Sequence, residues 1–511
     1  MEQESRSQAF AFAISSASPP LDLHLHSPIM AGMLIAGTSS DAGKSMVVTG
    51  LCRAFSLRGI RVAPFKAQNM SNNSMVCRDG AEIGRAQYLQ AQAAGVEPSS
   101  LHNPVLLKPG SDRQAFIVLR GRPAGQLWAG EYATGRSLLA QTAFETYEEL
   151  AGTVDLVVCE GAGSPAEINL RAGDYVNMGL ARKFDLPVAV VGDIDRGGIL
   201  ASLYGTWALL DTHDRALIQA FIINKFRGDV SVLTPGLESI SELTGVPFLG
   251  VVPWLEDLWL DSEDSLTIDR WRAKGSHEDP ARRLSVAVVR FPRASNATDM
   301  DALASEAGID LRVTADIDVC READLLVLPG TRATVADLQW LRDSGLADVV
   351  IDRARRCRPI LGICGGYQML AAFIHDTIES RSGRVDGLAL IDREVAFHEQ
   401  KVLGRPSGTW QGHAVDGYEI HHGVIAGDET FPGGCMQDAI WGTMWHGIFE
   451  NDEFRRAWLS TIAQQSGSAW QPDPHSITYR QRREAMIDLL AQALERDLDL
   501  DRLLGMALDP S

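Results

Sequence analysis

No apolar run in this sequence approaches the ~20 residues that a bilayer-spanning helix needs, which excludes a membrane span and a membrane partner of that kind. Cysteine is scarce, seven in 511 residues. None of the seven forms a CxxC pair, so the pattern offers neither a disulfide framework nor a zinc site and suits a reducing cytoplasm. Basic residues are also in short supply. Against 66 Asp and Glu stand 47 Lys and Arg, a formal net charge of −19, and such a surface repels the phosphates of nucleic acids and anionic lipids at long range. Internal repeats and low-complexity tracts are missing. The N-terminus has no cationic segment ahead of its short apolar stretch, Ala9 to Ala17, so a secretory signal is not expected. Residues 1–30 read instead as a disordered extension, and Met30 would serve equally well as a start.

What remains is an ordinary globular composition, 45% hydrophobic and 22% charged, with enough chain for two or three domains. From Met33 to about Val252, short, continuously apolar runs alternate with helix-length amphipathic segments. The runs MLIA (Met33 to Ala36), VDLVVC (Val154 to Cys159), PVAVV (Pro187 to Val191), FIIN (Phe221 to Asn224) and FLGVV (Phe248 to Val252) suit strands covered on both faces, hence a parallel, doubly wound α/β sheet. A polar stretch over 259–283 reads as a linker. A second α/β set follows with SVAVVR (Ser285 to Arg290), LLVLPG (Leu325 to Gly330) and PILGICGG (Pro359 to Gly366). The expected organisation is a first domain over 31–258, a second over 284–455 and a mainly helical tail over 456–511.

In the first half, a strand ending at Ala36 runs into GTSSDAGKS (Gly37 to Ser45) and then into a helix expected to reach Leu57. Strand, glycine-rich loop and helix N-terminus together make an anion cradle for a nucleotide's phosphates. Lys44 would reach the β- and γ-phosphates and Ser45 would ligate Mg²⁺. Five residues rather than four separate Gly37 from Gly43, so Thr38 takes the place of the first glycine. Glu160 and Asp193 each end a predicted strand, where ligands of open α/β sheets bind. Glu160 is the better candidate for Mg²⁺; either side chain would serve equally as a helix cap. Asn224, also at a strand end, is a candidate for the nucleobase.

In the second half, Cys364 sits in G-x-C-x-G between an apolar strand and a helix expected to begin MLAAF. Such an elbow exposes a thiol at a helix N-terminus, with the N–H of Gly365 facing an oxyanion and Gly330 as a second donor. The expected base is His446 in MWHGIFEN. His421 and His422 fit a strand end or a substrate pocket. No orienting carboxylate for His446 stands out; Glu450 lies at a helical offset. A phosphate loop and an activated thiol in one chain suggest a coupled reaction, in which ATP activates a carboxylate while the cysteine releases ammonia from an amide donor.

With these motifs in hand, the sequence from Met30 to about Phe454 resembles the cobyric acid synthase family, glutamine-dependent amidotransferases of cobalamin biosynthesis. LGICGGYQML and WHGIF resemble type 1 glutamine amidotransferases, and GTSSDAGKS is similar to the phosphate loop of the dethiobiotin synthetase group. PFKAQNMSNNS (Pro64 to Ser74), GAEIGRAQYLQAQAAG (Gly80 to Gly95), NPVLLKP, EGAGSPAEINL, VGDIDRGG and INKFRGD, in this order, carry most of the specificity. The resemblance implies amidation of the b, d, e and g carboxylates of adenosylcobyrinic acid a,c-diamide, with Cys364 and His446 as the glutaminase pair and ATP and Mg²⁺ as cofactors. It places Lys66, Gln68 and Asn69 near the phosphate or the corrinoid carboxylate. Implied partners are small molecules, namely corrinoid, glutamine and ATP, with self-association left open. Two alternatives stay open at this point: the sister a,c-diamide synthase, and a P-loop partition or scaffold ATPase that gives Cys364 and His446 no task.

Overall fold

A computed structural model of the chain describes residues 31–111, 114–128, 132–255 and 282–508. The expected extension over 1–30 and nearly all of the expected linker over 259–283 lie outside the described residues.

The apolar runs of the first half form one six-stranded sheet. Its strands are β1 (Gly32–Gly37), β2 (Val62–Phe65), β3 (Leu156–Glu160), β4 (Val188–Asp193), β5 (Ile218–Phe226) and β6 (Phe248–Pro253), in the order β6-β5-β4-β1-β3-β2. All pairings are parallel. Alternation along β1 shows why both faces had to be apolar. Met33 and Ile35 pack against helix α1 (Lys44–Leu57), whereas Leu34 and Ala36 pack on the opposite face against the helices at Tyr132–Ala151 and Ile199–Leu209. Between β2 and β3 the chain inserts a hairpin (Ser74–Val76 with Glu82–Gly84), helix α2 (Arg85–Ala94) and a four-stranded sheet that begins at Gln68–Met70.

A second six-stranded sheet contains β7 (Leu284–Val289), β8 (Ile309–Thr314), β9 (Leu325–Leu328), β10 (Ile360–Ile363), β11 (Gly434–Gln437) and β12 (Ile440–Thr443), ordered β8-β7-β9-β10-β12-β11. It is parallel except for β11, which returns antiparallel along β12. The helix after Cys364 corrects the sequence reading. It runs only over Gly365–Leu370 (α3), and the AAF of MLAAF opens a strand, Ala371–Asp376. That segment pairs with both Gly383–Asp386 and Ile391–Gly404, so its backbone hydrogen bonds go to a sheet instead of a longer helix.

The C-terminal helices α4 (Asp452–Ser466), α5 (Tyr479–Asp497) and α6 (Leu500–Leu508) do not trail away. Thr478 and Gln481 form a capping box that fixes the start of α5. Met486, Ile487, Leu490 and Leu494 then cover the face of α1 that the first sheet leaves open. The cover is close: a methyl group added at Gly50 would meet Leu494 Cδ1 at 2.6 Å. Arg53 pairs with Glu484 and Asp488 across the same contact. The chain thus crosses from the second sheet back to the first, and its last helices belong to the core behind the phosphate loop.

Candidate active sites

The phosphate loop leaves β1 at the point where the sheet order reverses, the usual ligand position in open α/β sheets. Gly43, with φ +97°, turns the chain into α1, and a Cβ there would strike Asn224 Nδ2 at 2.0 Å. Only glycine accommodates both demands. Asn224 lies beneath this turn and donates from Nδ2 to the Ala42 carbonyl (2.9 Å), while its buried Oδ1 has no hydrogen-bond partner. The Thr38 N–H is held by the Val191 carbonyl at 2.9 Å. Lys44 Nζ donates to the carbonyls of Ser39 (2.9 Å) and Gly163 (3.2 Å), so its ammonium spans the phosphate loop and the EGAGSP loop that follows β3.

Behind the loop lies a buried polar cluster centred on Glu160, which has no exposed surface. Its Oε1 accepts from Ser45 Oγ and from Lys66 Nζ, both at 2.8 Å, and its Oε2 accepts from Gln90 Nε2 at 2.6 Å. A hydroxyl and a carboxylate 2.8 Å apart at a phosphate loop fit Mg²⁺, which takes one or two protein oxygens and completes its shell with phosphate and water. The buried Gln90 Oε1, without a partner, adds a free acceptor beside them. Asp193 lies apart from this group, its Oδ2 2.6 Å from Lys225 Nζ. Gln68 accepts from the Tyr175 hydroxyl and borders a cavity of ≈ 130 Å³ with Ser164 and Arg136. Asn69 donates to Gln87 Oε1 at 2.9 Å, and both are buried. Gln90 and Gln87 went unnoticed in the sequence; the signal was an i, i+3 pair of glutamines on the alanine-rich helix α2.

At the second site Cys364 joins β10 to α3 with φ 49° and ψ −110°, a conformation rare for any residue with a side chain. The turn is held from several sides. The Cys364 N–H donates to the Thr443 carbonyl (2.7 Å), and a Cβ at Gly366 would lie 2.0 Å from the Leu328 carbonyl oxygen. Gly365 is the first residue of α3, packed on Thr331. Gly330 follows β9 and lies against the His446 ring, 3.1 Å from its Cε1 to an added Cβ. Cys364 and His446 line one cavity, with Gln368, His421, Arg332 and Lys401 among its walls.

His446 is oriented by a residue that the sequence did not single out. Its Nδ1 lies 2.7 Å from Asp299 Oδ2, and the other oxygen of Asp299 accepts the Gly447 N–H at 2.8 Å. His446 Nε2 is buried with no hydrogen-bond partner. Burial works against the imidazolium, but the Asp299 carboxylate, helped by the Cys364 sulfur, outweighs it and raises the His446 pKa to about 10. Glu450, at the helical offset, does not serve. It pairs with Arg85 (2.6 Å) and Arg483 (3.1 Å), whose charges overcome burial and draw its carboxyl down to about 2. His421 is buried at the cavity wall with neither ring nitrogen hydrogen-bonded; His422 Nδ1 lies 3.0 Å from the His398 carbonyl, to which its N–H donates.

Among the described residues no helix is long and apolar enough to cross a membrane, and all seven cysteines are free. A phosphate-loop sheet and a cysteine–histidine–aspartate elbow on a second sheet define a class, the nucleotide-dependent glutamine amidotransferases. Family comparison agrees: residues 33–268 match the CobQ/CobB/MinD/ParA nucleotide binding domain and residues 285–454 the CobB/CobQ-like glutamine amidotransferase domain. The chain is 60% identical over 483 residues to a cobyric acid synthase of Cutibacterium acnes (strain DSM 16379 / KPA171202), covering 93% of this chain and 100% of that one. It is 53% identical over 479 residues to that of Mycobacterium sp. (strain KMS), covering 93% and 96%. The cobyric acid synthase of Rhodococcus jostii (strain RHA1) is 52% identical over 482 residues, covering 92% and 94%. This chain belongs to the cobyric acid synthase family.

Proposed function

We propose that this protein uses ATP and glutamine to amidate the b, d, e and g carboxylates of adenosylcobyrinic acid a,c-diamide, giving adenosylcobyric acid. The observation that carries the reading is a phosphate loop and a Cys364–His446–Asp299 cluster in one chain that is 60% identical to a cobyric acid synthase over that relative's whole length.

At the second site the Cys364 sulfur attacks the side-chain amide carbon of glutamine. The carbon–nitrogen bond breaks as the His446 imidazolium gives its proton to the departing ammonia. Water, deprotonated by the neutral imidazole, then hydrolyses the thioester to glutamate and restores the thiol. Asp299 fixes the ring so that Nε2 faces the reaction. The N–H groups of Gly365 and Gly330 are assigned to the tetrahedral oxyanion.

At the first site the loop N–H groups and Lys44 cradle the triphosphate, and Lys44 follows the charge that develops as the γ-phosphoryl group passes to a corrinoid carboxylate. Mg²⁺, held by Ser45 and Glu160 together with the nucleotide, would neutralise phosphate charge. Lys66, Gln68 and Asn69 are assigned to the vicinity of the phosphate or of the corrinoid carboxylate. Ammonia attacks the acyl phosphate carbon, phosphate leaves and an amide remains.

The test is substrate choice. Purified protein with ATP, Mg²⁺ and glutamine should consume the a,c-diamide and leave cobyrinic acid untouched; consumption of cobyrinic acid alone would assign it to the sister reaction.

A further inference from the structure

The two halves meet across a buried ionic knot that neither half-reaction uses. Glu82, on the hairpin of the first domain, has no exposed surface. Its Oε1 accepts from Lys108 Nζ (2.6 Å) and Ser74 Oγ (2.8 Å), while its Oε2 accepts from Lys401 Nζ of the second domain at 2.6 Å. Beside it the Ser74 N–H donates to Asn296 Oδ1, again between domains, at 3.1 Å. Lys108, Lys401 and Asn296 all line the cavity that holds Cys364 and His446.

Adhesion alone does not account for this knot. Taking three charges out of water is costly, and an apolar contact of the same volume holds two surfaces together at least as well. Such a contact exists next door, where Met75, Val76, Ile83 and Tyr88 pack on Tyr418 and Ile420. On the far side of the knot, further buried polar side chains lead toward the phosphate loop, joined through backbone groups. Asn103 accepts the Gly84 N–H (3.1 Å) and donates to the Lys66 carbonyl (3.1 Å), and Lys66 ends on Glu160. Asn69 and Gln87 run alongside. The stretch QNMSNNS and the helix GRAQYLQAQ therefore line up between the two sites, in a region where an apolar core would be expected.

Resting on the reading above, we propose that the Glu82–Lys108–Lys401 knot is the transfer point at which ammonia freed at Cys364 leaves the glutaminase cavity for the phosphate-activated carboxylate. Ammonia is small and neutral, both donates and accepts hydrogen bonds, and is lost to protonation if it meets bulk water. A buried polar seam closed by a domain-spanning carboxylate offers it hydrogen-bond partners while keeping water out.

The test uses the full-length protein with Glu82→Gln, and with Lys401→Met, which breaks the same contact from the other domain should the first variant fold poorly. Glutamate released and corrinoid amide formed are counted in one reaction, and amidation is repeated with an ammonium salt in place of glutamine. The expected result is a glutamate-to-amide ratio raised about fivefold or more, with ammonium-driven amidation close to that of the parent. An unchanged ratio in the variants overturns the proposal, as does equal loss with both nitrogen sources, which would make the knot structural only. Failure of the parent protein to amidate the corrinoid with either nitrogen source would sink the functional reading itself.

Discussion

Asp299 Oδ2 and His446 Nδ1 lie 2.7 Å apart although 147 residues separate them in the chain. Asp299 opens the first helix after β7, and His446 follows β12. Because β7, β10 and β12 run parallel in one sheet, Asp299, Cys364 and His446 all leave it at the same end. Replacing Asp299 by Asn keeps the shape but lets the ring take the wrong tautomer. Glutamine hydrolysis should fall by ~10²–10⁴, with ammonium-driven amidation retained. Hydrolysis within a few-fold of the parent would remove Asp299 from the mechanism.

The same pair sets a pH dependence. The folded-state pKa of His446, about 10, exceeds the ordinary value of 6.5. Its pairing therefore stabilises the fold fully below about 6.5, less as pH rises between the two values, and not at all above about 10. Urea titrations at several pH values should show this loss in the parent and not in His446→Gln. Glutaminase activity should hold through neutral pH and decline on the alkaline side, and in Asp299→Asn that decline should begin at lower pH. An alkaline limb that stays in place in the variant would contradict the assignment.

Cys364→Ser and Lys44→Ala separate the two chemistries. The first should abolish the use of glutamine and leave amidation with ammonium salts. The second should lower amidation with either donor by ~10²–10³ or more, since it removes a cation from the developing phosphate charge. Steady-state assays with both donors check this. Loss of both activities in the folded cysteine variant would break the division of labour.

Leu490, fully buried on α5 against α1, tests the role of the C-terminal helices. Leu490→Ala should lower stability by ~2–5 kcal/mol, the usual cost of such a cavity, and chemical denaturation should show it in the phosphate-loop domain. A loss below about half a kcal/mol, in the range of surface substitutions, would mean that the tail is not part of that core.

Much of this was legible in the chain. Continuous apolar runs at Met33, Val154, Pro187 and Phe221 announced strands covered on both faces, because such strands admit no polar side. GKS after a strand and glycines around Cys364 announced the two sites, because each demands a backbone that few sequences supply. Other features were hidden. Asp299 lay in an unremarkable helix start, and its partnership with His446 depends on a fold-level crossover that no local spacing records. Glu450 looked right by offset but is claimed by Arg85 and Arg483 from other elements. MLAAF read as the start of a helix because alanine and leucine favour one, whereas from Ala371 onward two neighbouring strands take the backbone hydrogen bonds. The returning α5 showed its periodicity but not its destination.

The most direct measurement follows the nitrogen. Protein incubated with ATP, Mg²⁺, adenosylcobyrinic acid a,c-diamide and glutamine carrying heavy nitrogen in its side-chain amide should yield a corrinoid with four new labelled amides, seen by mass spectrometry as four successive acid-to-amide conversions. A corrinoid recovered with its carboxylates intact, from folded protein that binds ATP, would contradict the account.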